Sequence, residues 1–195
     1  MAFRIRKKSS DGLIALREKE IAFSAEERGL LKHSYGKPYK LPLIPHTPWQ
    51  KKPISIPHPI IPQLIELVRE RIKTGFYEKS SSSYTTPVSF VANSNGKLGI
   101  VHDLQDLNKI KVKDAGLTPH IEEFVHAFSG RACYELGHIM GGIDERELDV
   151  STRTLTTFET PLGRLQLTRL PQGATNSVSV SLKVYFTYQI GKNYL

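Results

Sequence analysis

Eight of the chain's twelve prolines fall between Lys37 and Pro62, at positions 38, 42, 45, 48, 53, 57, 59 and 62. Proline fixes φ, removes a backbone donor and pushes the preceding residue out of the helical region. A stretch with prolines this dense cannot be a helix or the middle of a sheet. It has to run as an extended, partly polyproline connector with few paired strands. The 195 residues are thereby divided into a short N-terminal part and a longer C-terminal part that must supply the core. A hydrophobic content of 39% is enough for that core and too high for a disordered chain.

Charge follows the same division. Residues 1–60 hold twelve Lys/Arg against five Asp/Glu, which is most of the net charge of +8. The remainder of the chain is close to balanced. A basic arm of this kind favours a polyanion, most simply nucleic acid; the alternative is a solvated tail without a partner. The single cysteine, Cys133, excludes an intrachain disulfide and a thiolate metal cluster. No apolar run is long enough to span a membrane, and "MAFRIRKKSS" lacks the apolar stretch of a secretory signal. The expected location is intracellular, cytoplasmic or nuclear.

Periodicity places the elements. Ser24 and Glu27 form a capping-box pattern ahead of a short helix from Ala25 to about His33. Pro62 opens a stronger helix through "PQLIELVRERIKTG", with Leu64, Leu67, Val68 and Ile72 on one face and Gly75 as the stop. "SSSYTT" is a polar loop, and "PVSFVANSNGKLGIVHDL" reads as a hairpin turning at Asn95-Gly96. A helix follows in "TPHIEEFVHAFSG", with Ile121, Phe124, Val125 and Phe128 inward, and then the strand "RACYEL". "RTLTTFETPLGRLQLTRL" is a second hairpin around Pro161-Leu162-Gly163. The segment 178–186 supports either a strand period or a helical stripe at Val178, Leu182, Tyr185 and Phe186. Together these give an α+β chain of antiparallel hairpins with packed helices. Asp144, Glu145 and Glu147 read as a solvated face of an early helix turn. His102 and Asp103 are neighbours on a strand, so they point to opposite sides and form no dyad.

Several blocks occur in a telling order: "SYTTPVSFV", "NGKLGIVHDLQDLNK", "GGIDERE" and "FETPLGRLQLTRLPQGATNS". In that order and spacing, over about residues 41–190, the chain resembles the reverse transcriptase of gypsy-type LTR retrotransposons, in a fungal-like form. The resemblance implies a right-hand polymerase fold, fingers plus a partial palm. Residues 1–40 would be a basic arm with a short helix and 41–62 the Pro-rich connector. Residues 63–195 would be the reverse-transcriptase-like domain, with fingers at about 63–112 and 148–172 and palm at about 113–147 and 173–195. On this resemblance the segment after Gly173 is a helix, against the strand period. Gln172 and Gly173 match positions that contact the incoming nucleotide and let the template approach, and Asn176 also matches.

Four departures weaken the implied chemistry. The position of the first metal-binding aspartate is His138. Mg²⁺ prefers carboxylate oxygen, and a largely neutral imidazole is a poor substitute. The alternative for His138 is a histidine satisfied at a strand end, with no ligand role. The fingers arginine that would pair with the triphosphate is Gly99, and the aromatic that would screen the sugar hydroxyl is Ile143. No Asp-Asp pair occurs, so the family's second metal half-site is missing and the domain reads as truncated and degenerate.

The expectation is a catalytically inactive, retrotransposon-derived domain that needs no cofactor, where the intact family uses Mg²⁺. It would keep weak, salt-dependent binding to RNA–DNA or DNA duplex, with Arg4, Arg6, Lys7 and Lys8 as phosphate contacts that do not read sequence. Two alternatives stand beside it. One is a repurposed protein-interaction module that self-associates through exposed palm surface. The other is a fragment of an RNA-directed DNA polymerase completed by another chain.

Overall fold

A computed structural model of the chain describes residues 33, 34, 36–92, 96–114, 122, 125, 126, 129, 130 and 143–181. The basic positions Arg4, Arg6, Lys7 and Lys8, nearly all of the helix expected from Ala25, the strand "RACYEL", Cys133 and His138 lie outside the described residues.

The connector is extended, as its prolines dictate. It is stitched to the rest by single bridges, Tyr39 with Leu148, Leu43 with Lys111 and Gln50 with Thr85. A 3₁₀ turn, His58–Ile60, leads into helix α1, Ile61–Lys73, with Pro62 in the first turn, where no donor is lost. Leu64 and Val68 are fully buried, but Ile72 is 38% exposed, which corrects the inward face expected for it. The buried stripe runs on from Leu64 and Val68 to the half-buried Arg71, the helical i, i+4, i+7 series. The helix ends in a Schellman motif: Gly75 has φ +70°, its N–H donates to Ile72 O, and Phe76 N–H donates to Arg71 O.

The chain then enters strand β1, Tyr77–Lys79, which was not anticipated. Strands β2, Val88–Ala92, and β3, Leu98–His102, form the expected hairpin, with Phe90 opposite Ile100. Helix α2, Gln105–Ile110, follows, its first N–H capped at Gln105 by Asp103 Oδ1 at 3.0 Å. Helix α3, Val150–Arg153, leads into a 3₁₀ turn, Thr154–Thr156, so that residues 153–156, read from sequence as the start of a hairpin strand, are helical. The reason is local: Asp149 Oδ1 accepts from Ser151 N at 3.0 Å and so caps a helix there. The hairpin proper is β4, Phe158–Thr160, with β5, Gly163–Leu167. The strand order is β1-β5-β4 in one antiparallel sheet and β2-β3 in the other.

Residues 177–181 are helical, not extended, in line with the resemblance. Val178, expected on an inward stripe, is 60% exposed, while Val180 is buried at 5%. Val125, also expected inward, is 56% exposed. Among the described residues, no helix is long and apolar enough to cross a membrane.

Two buried clusters hold these elements. One gathers Leu41, Leu104, Leu107, Leu148, Leu155 and Leu170 around the connector and α2. The other joins Leu64 and Val68 of α1 to Tyr77, Val88, Phe158, Leu165 and Leu167. At its centre three rings meet edge to face: Phe158 lies 5.0 Å from Tyr77 and 4.6 Å from His102, centroid to centroid. His102 Nε2 is 3.3 Å from Tyr77 Oη, and its Nδ1 is buried without a partner. Burial, with a smaller push from Arg71, lowers this imidazole from its usual 6.5 to about 4.

The expected solvated acidic face is also corrected. Glu147 and Glu78 clasp the buried guanidinium of Arg153, at 2.6 and 3.0 Å, and Arg153 Nε donates to Leu148 O at 2.9 Å. Glu78 accepts in turn from Gln166 Nε2 at 2.7 Å, which ties α3 to β1 and β5.

Two stability tests follow from these contacts. Arg153→Met strands two carboxylates and should cost roughly 3 kcal/mol or more in urea unfolding; adding Glu78→Gln and Glu147→Gln should restore most of it. His102 binds a proton in the unfolded chain below about pH 6.5 and in the folded chain only near pH 4. Its contribution is thus full above pH 6.5 and falls by roughly 3 kcal/mol as pH drops toward 4. In His102→Phe that part of the pH dependence of stability should vanish.

Candidate functional site

The positions singled out from sequence fall in two places. Gly99 lies in β3 opposite Val91. Strand alternation puts Ser89, Val91, Gly99 and Val101 on one face of the hairpin. Val91 and Val101 are about half exposed there, and none of these four positions is a cation. Ile143 sits in a turn against the connector cluster.

Gln172 and Gly173 belong to a loop that Asn108 of α2 holds from both sides. Asn108 Nδ2 donates to Gly173 O at 3.1 Å, and Asn108 Oδ1 accepts from Thr175 N at 2.7 Å. Gly173 has φ +82°, a conformation costly for a side chain with Cβ. Asn176, at φ +70°, accepts from Asp114 N and donates to Val112 O. Lys111 Nζ donates to Thr175 O, and burial brings its amine down to about 8. The "DLNK" and "LPQGATNS" blocks are therefore one hydrogen-bonded unit.

Gln172 emerges from that unit at the rim of a cavity of about 220 Å³. The last turn of α1 gives the cavity Arg71, the chain after its stop gives Phe76, and β1 gives Tyr77; β3 gives His102; Asp144, Arg169 and Gln172 close it. Gln172 Nε2 donates to Asp144 Oδ2 at 3.1 Å. Phe76 carries two guanidinium groups, with Arg169 Cζ 3.7 Å and Arg71 Cζ 4.6 Å from its centroid. Arg169 is 6% exposed and donates to Thr74 O at 3.0 Å and Asp144 O at 3.5 Å. Two cations within about 8 Å repel by about 2 kcal/mol at an effective dielectric near 20. Asp144 stands at the same wall and carries the opposite charge. Tyr77 shows the low polarity of this wall: burial pushes its phenol up to about 12.

Of the positions named from sequence, Gln172, His102 and Asp144 line this cavity, whereas Gly99 and Ile143 do not. Arg71 and Arg169 were missed. A signal existed for Arg71, because it falls on the register of Leu64 and Val68. None existed for Arg169, whose place depends on the ring of Phe76. Among the described residues, no group of His, Cys, Asp or Glu is arranged to hold a metal ion.

No protein-family model matches the chain. In sequence it is similar to the retrovirus-related Pol polyprotein from transposon 412 of Drosophila melanogaster, at 27% identity over 140 residues, covering 67% of this chain and 11% of that protein. It is also similar to the Gag-Pro-Pol polyprotein of Mason-Pfizer monkey virus, at 28% identity over 129 residues, covering 63% of this chain and 7% of that protein. The chain thus spans about a tenth or less of these relatives. In structure it resembles the foamy viral protease-reverse transcriptase solved with an RNA/DNA hybrid, with a TM-score of 0.73 and 17% identity, covering 98% of this chain and 26% of that one. The same enzyme solved with dsDNA gives 0.69 and 18%, covering 94% and 37%. This chain of mixed helices and antiparallel strands has the fold of part of a foamy viral protease-reverse transcriptase, and its sequence relates it to transposon and retroviral Pol polyproteins.

Proposed function

We propose that the chain is a reverse-transcriptase-like domain of gypsy type that binds primer–template duplex and does not itself add nucleotides. The observation that carries the second half is the exposed hairpin face around Gly99. Where the resemblance implies a triphosphate-binding arginine, this face presents Ser89, Val91 and Val101, which cannot neutralise phosphate. His138 supports the same reading: an imidazole at the first metal position does not suit Mg²⁺. In this reading residues 63–112 and 148–172 act as fingers and 113–147 and 173–195 as a partial palm. The RNA/DNA hybrid and dsDNA held by the structural neighbours support a duplex as the partner. Arg4, Arg6, Lys7 and Lys8 would then be its phosphate contacts.

Fluorescence anisotropy with an RNA–DNA primer–template tests this. Four phosphate contacts correspond to roughly a hundredfold loss of affinity between about 50 and 200 mM salt. Replacing Arg4, Arg6, Lys7 and Lys8 by Gln should remove most of that salt dependence. Primer extension with Mg²⁺ and nucleotides should give no product, also after His138→Asp alone. Template-directed extension by the unaltered chain would overturn the inactive reading. No duplex binding at low salt, with self-association in sedimentation, would instead mark a protein-interaction module.

A further inference from the structure

We propose that the outward face of the β2–β3 hairpin is an interface for a second copy of this chain, paired about a two-fold axis with the two hairpins antiparallel. The inference rests on the geometry of the hairpin and does not need the polymerase reading.

Three observations converge. First, the face is exposed and partly apolar. Val88, Phe90, Ile100 and His102 turn to the core, so Ser89, Val91, Gly99 and Val101 turn away from it. Val91 is 48% and Val101 53% exposed. Second, the face matches itself in shape. Ser89 lies opposite Val101, and Val91 opposite Gly99. The two valines thus occupy one diagonal of a four-residue patch, and the two small residues occupy the other. A two-fold axis across the strands, at the row of Phe90 and Ile100, lays each valine of one copy on a small residue of the other. Val101 then sits on Gly99 and Val91 on Ser89, and symmetry makes each contact twice.

Third, charge matches in the same arrangement. Lys97 precedes β3 at the hairpin tip and Asp103 follows it at the base, still on the ladder, since Asp103 N donates to Pro87 O at 3.0 Å. Alternation puts both on the face of Gly99 and Val101. Both are exposed, and neither has an ion-pair partner among the described residues. The antiparallel pairing brings Lys97 of each copy to Asp103 of the other. An axis along the strands would seat the valines equally well, but it would gather both lysines at one end and both aspartates at the other, where like charges repel. The charges therefore select the antiparallel dimer. From position 97 to 103 a strand spans about 20 Å, and the hairpin is two strands wide. A footprint of that size lies at the small end of specific interfaces, so the dimer is weak and reversible.

Sedimentation equilibrium of the full chain without nucleic acid, from about 10 μM to about 1 mM, covers the affinities such a footprint supports. The expected result is a monomer–dimer equilibrium. Gly99→Val fills the hollow that receives Val101 of the second copy and should abolish the dimer, without lowering the melting temperature, because a β-branched residue suits a strand. Lys97→Glu and Asp103→Lys should each weaken the dimer about tenfold, since symmetry doubles the modest effect of one exposed pair. The double variant should restore it. A chain that stays monomeric to the top of the range overturns the proposal. Association at full strength in either Gly99→Val or Lys97→Glu overturns it too, and so does a folded double variant no tighter than the single ones. Asp103 also caps Gln105 N, so if Asp103→Lys lowers the melting temperature, Gly99→Val and Lys97→Glu decide alone. Duplex binding is read by anisotropy and by variants of the basic arm, so either idea can fail alone.

Discussion

Among the described residues the two sheets exchange no ladder hydrogen bonds, and His102 of β3 joins them by packing on Phe158 and Tyr77, with Val88 of β2 in the same cluster. Each ring comes from a different strand: β4, β1 and β3. Edge-to-face pairs of this kind add about 0.5–1.5 kcal/mol each beyond the area they bury. The contact also requires His102 to be neutral, since a protonated imidazole inside an aromatic cluster would be a buried charge without a counterion. Two of these rings, Tyr77 and His102, also line the cavity. Packing, protonation state and the shape of the candidate site therefore rest on one interaction, and α1 is placed by packing Leu64 and Val68 against it.

A second layer of order comes from side-chain amides. Asn108 and Asn176 use donor and acceptor ends together, and between them they fix the loop that delivers Gln172. Apolar contacts alone could not do this, because the loop's own backbone groups need partners once they are partly buried. The buried Arg153 and its two glutamates play the matching role on the other side, tying α3 to the sheet through directional bonds.

Much of the fold is legible where one periodicity dominates. Pro62, the Leu64 and Val68 stripe and Gly75 give α1 almost residue for residue. Alternating apolar positions give the β2–β3 hairpin. Legibility fails where a local cap outweighs propensity, as at Arg153–Thr156: the run "RTLTT" favours a strand, yet Asp149 starts a helix just before it. It fails again for β1, whose three residues are too few to show alternation. The error at Ile72 is instructive, because the helical period passes through Arg71, and only the hydrophobic label of Ile72 suggested otherwise. The cavity could not have been read at all. Its lining comes from five separated segments, and its key contact, Arg169 on Phe76, has no sequence signature. Gln172 was found because its motif is recognisable, without any indication of what surrounds it.

The helix end at Gly75 has a consequence for how this molecule assembles. Arg71 meets Phe76 through a single turn of chain, so that half of the cation pair can form as soon as α1 and its Schellman stop are in place. Arg169 meets the same ring across a separation of 95 residues from Thr74, a contact that must wait for the β5 segment to return. Local contacts form on the microsecond scale, whereas distant ones carry the entropy of closing the intervening chain. The repulsion between the two guanidiniums therefore enters late, when the second arrives beside a first already fixed. The ring of Phe76 thus receives its second guanidinium only when the chain closes over it.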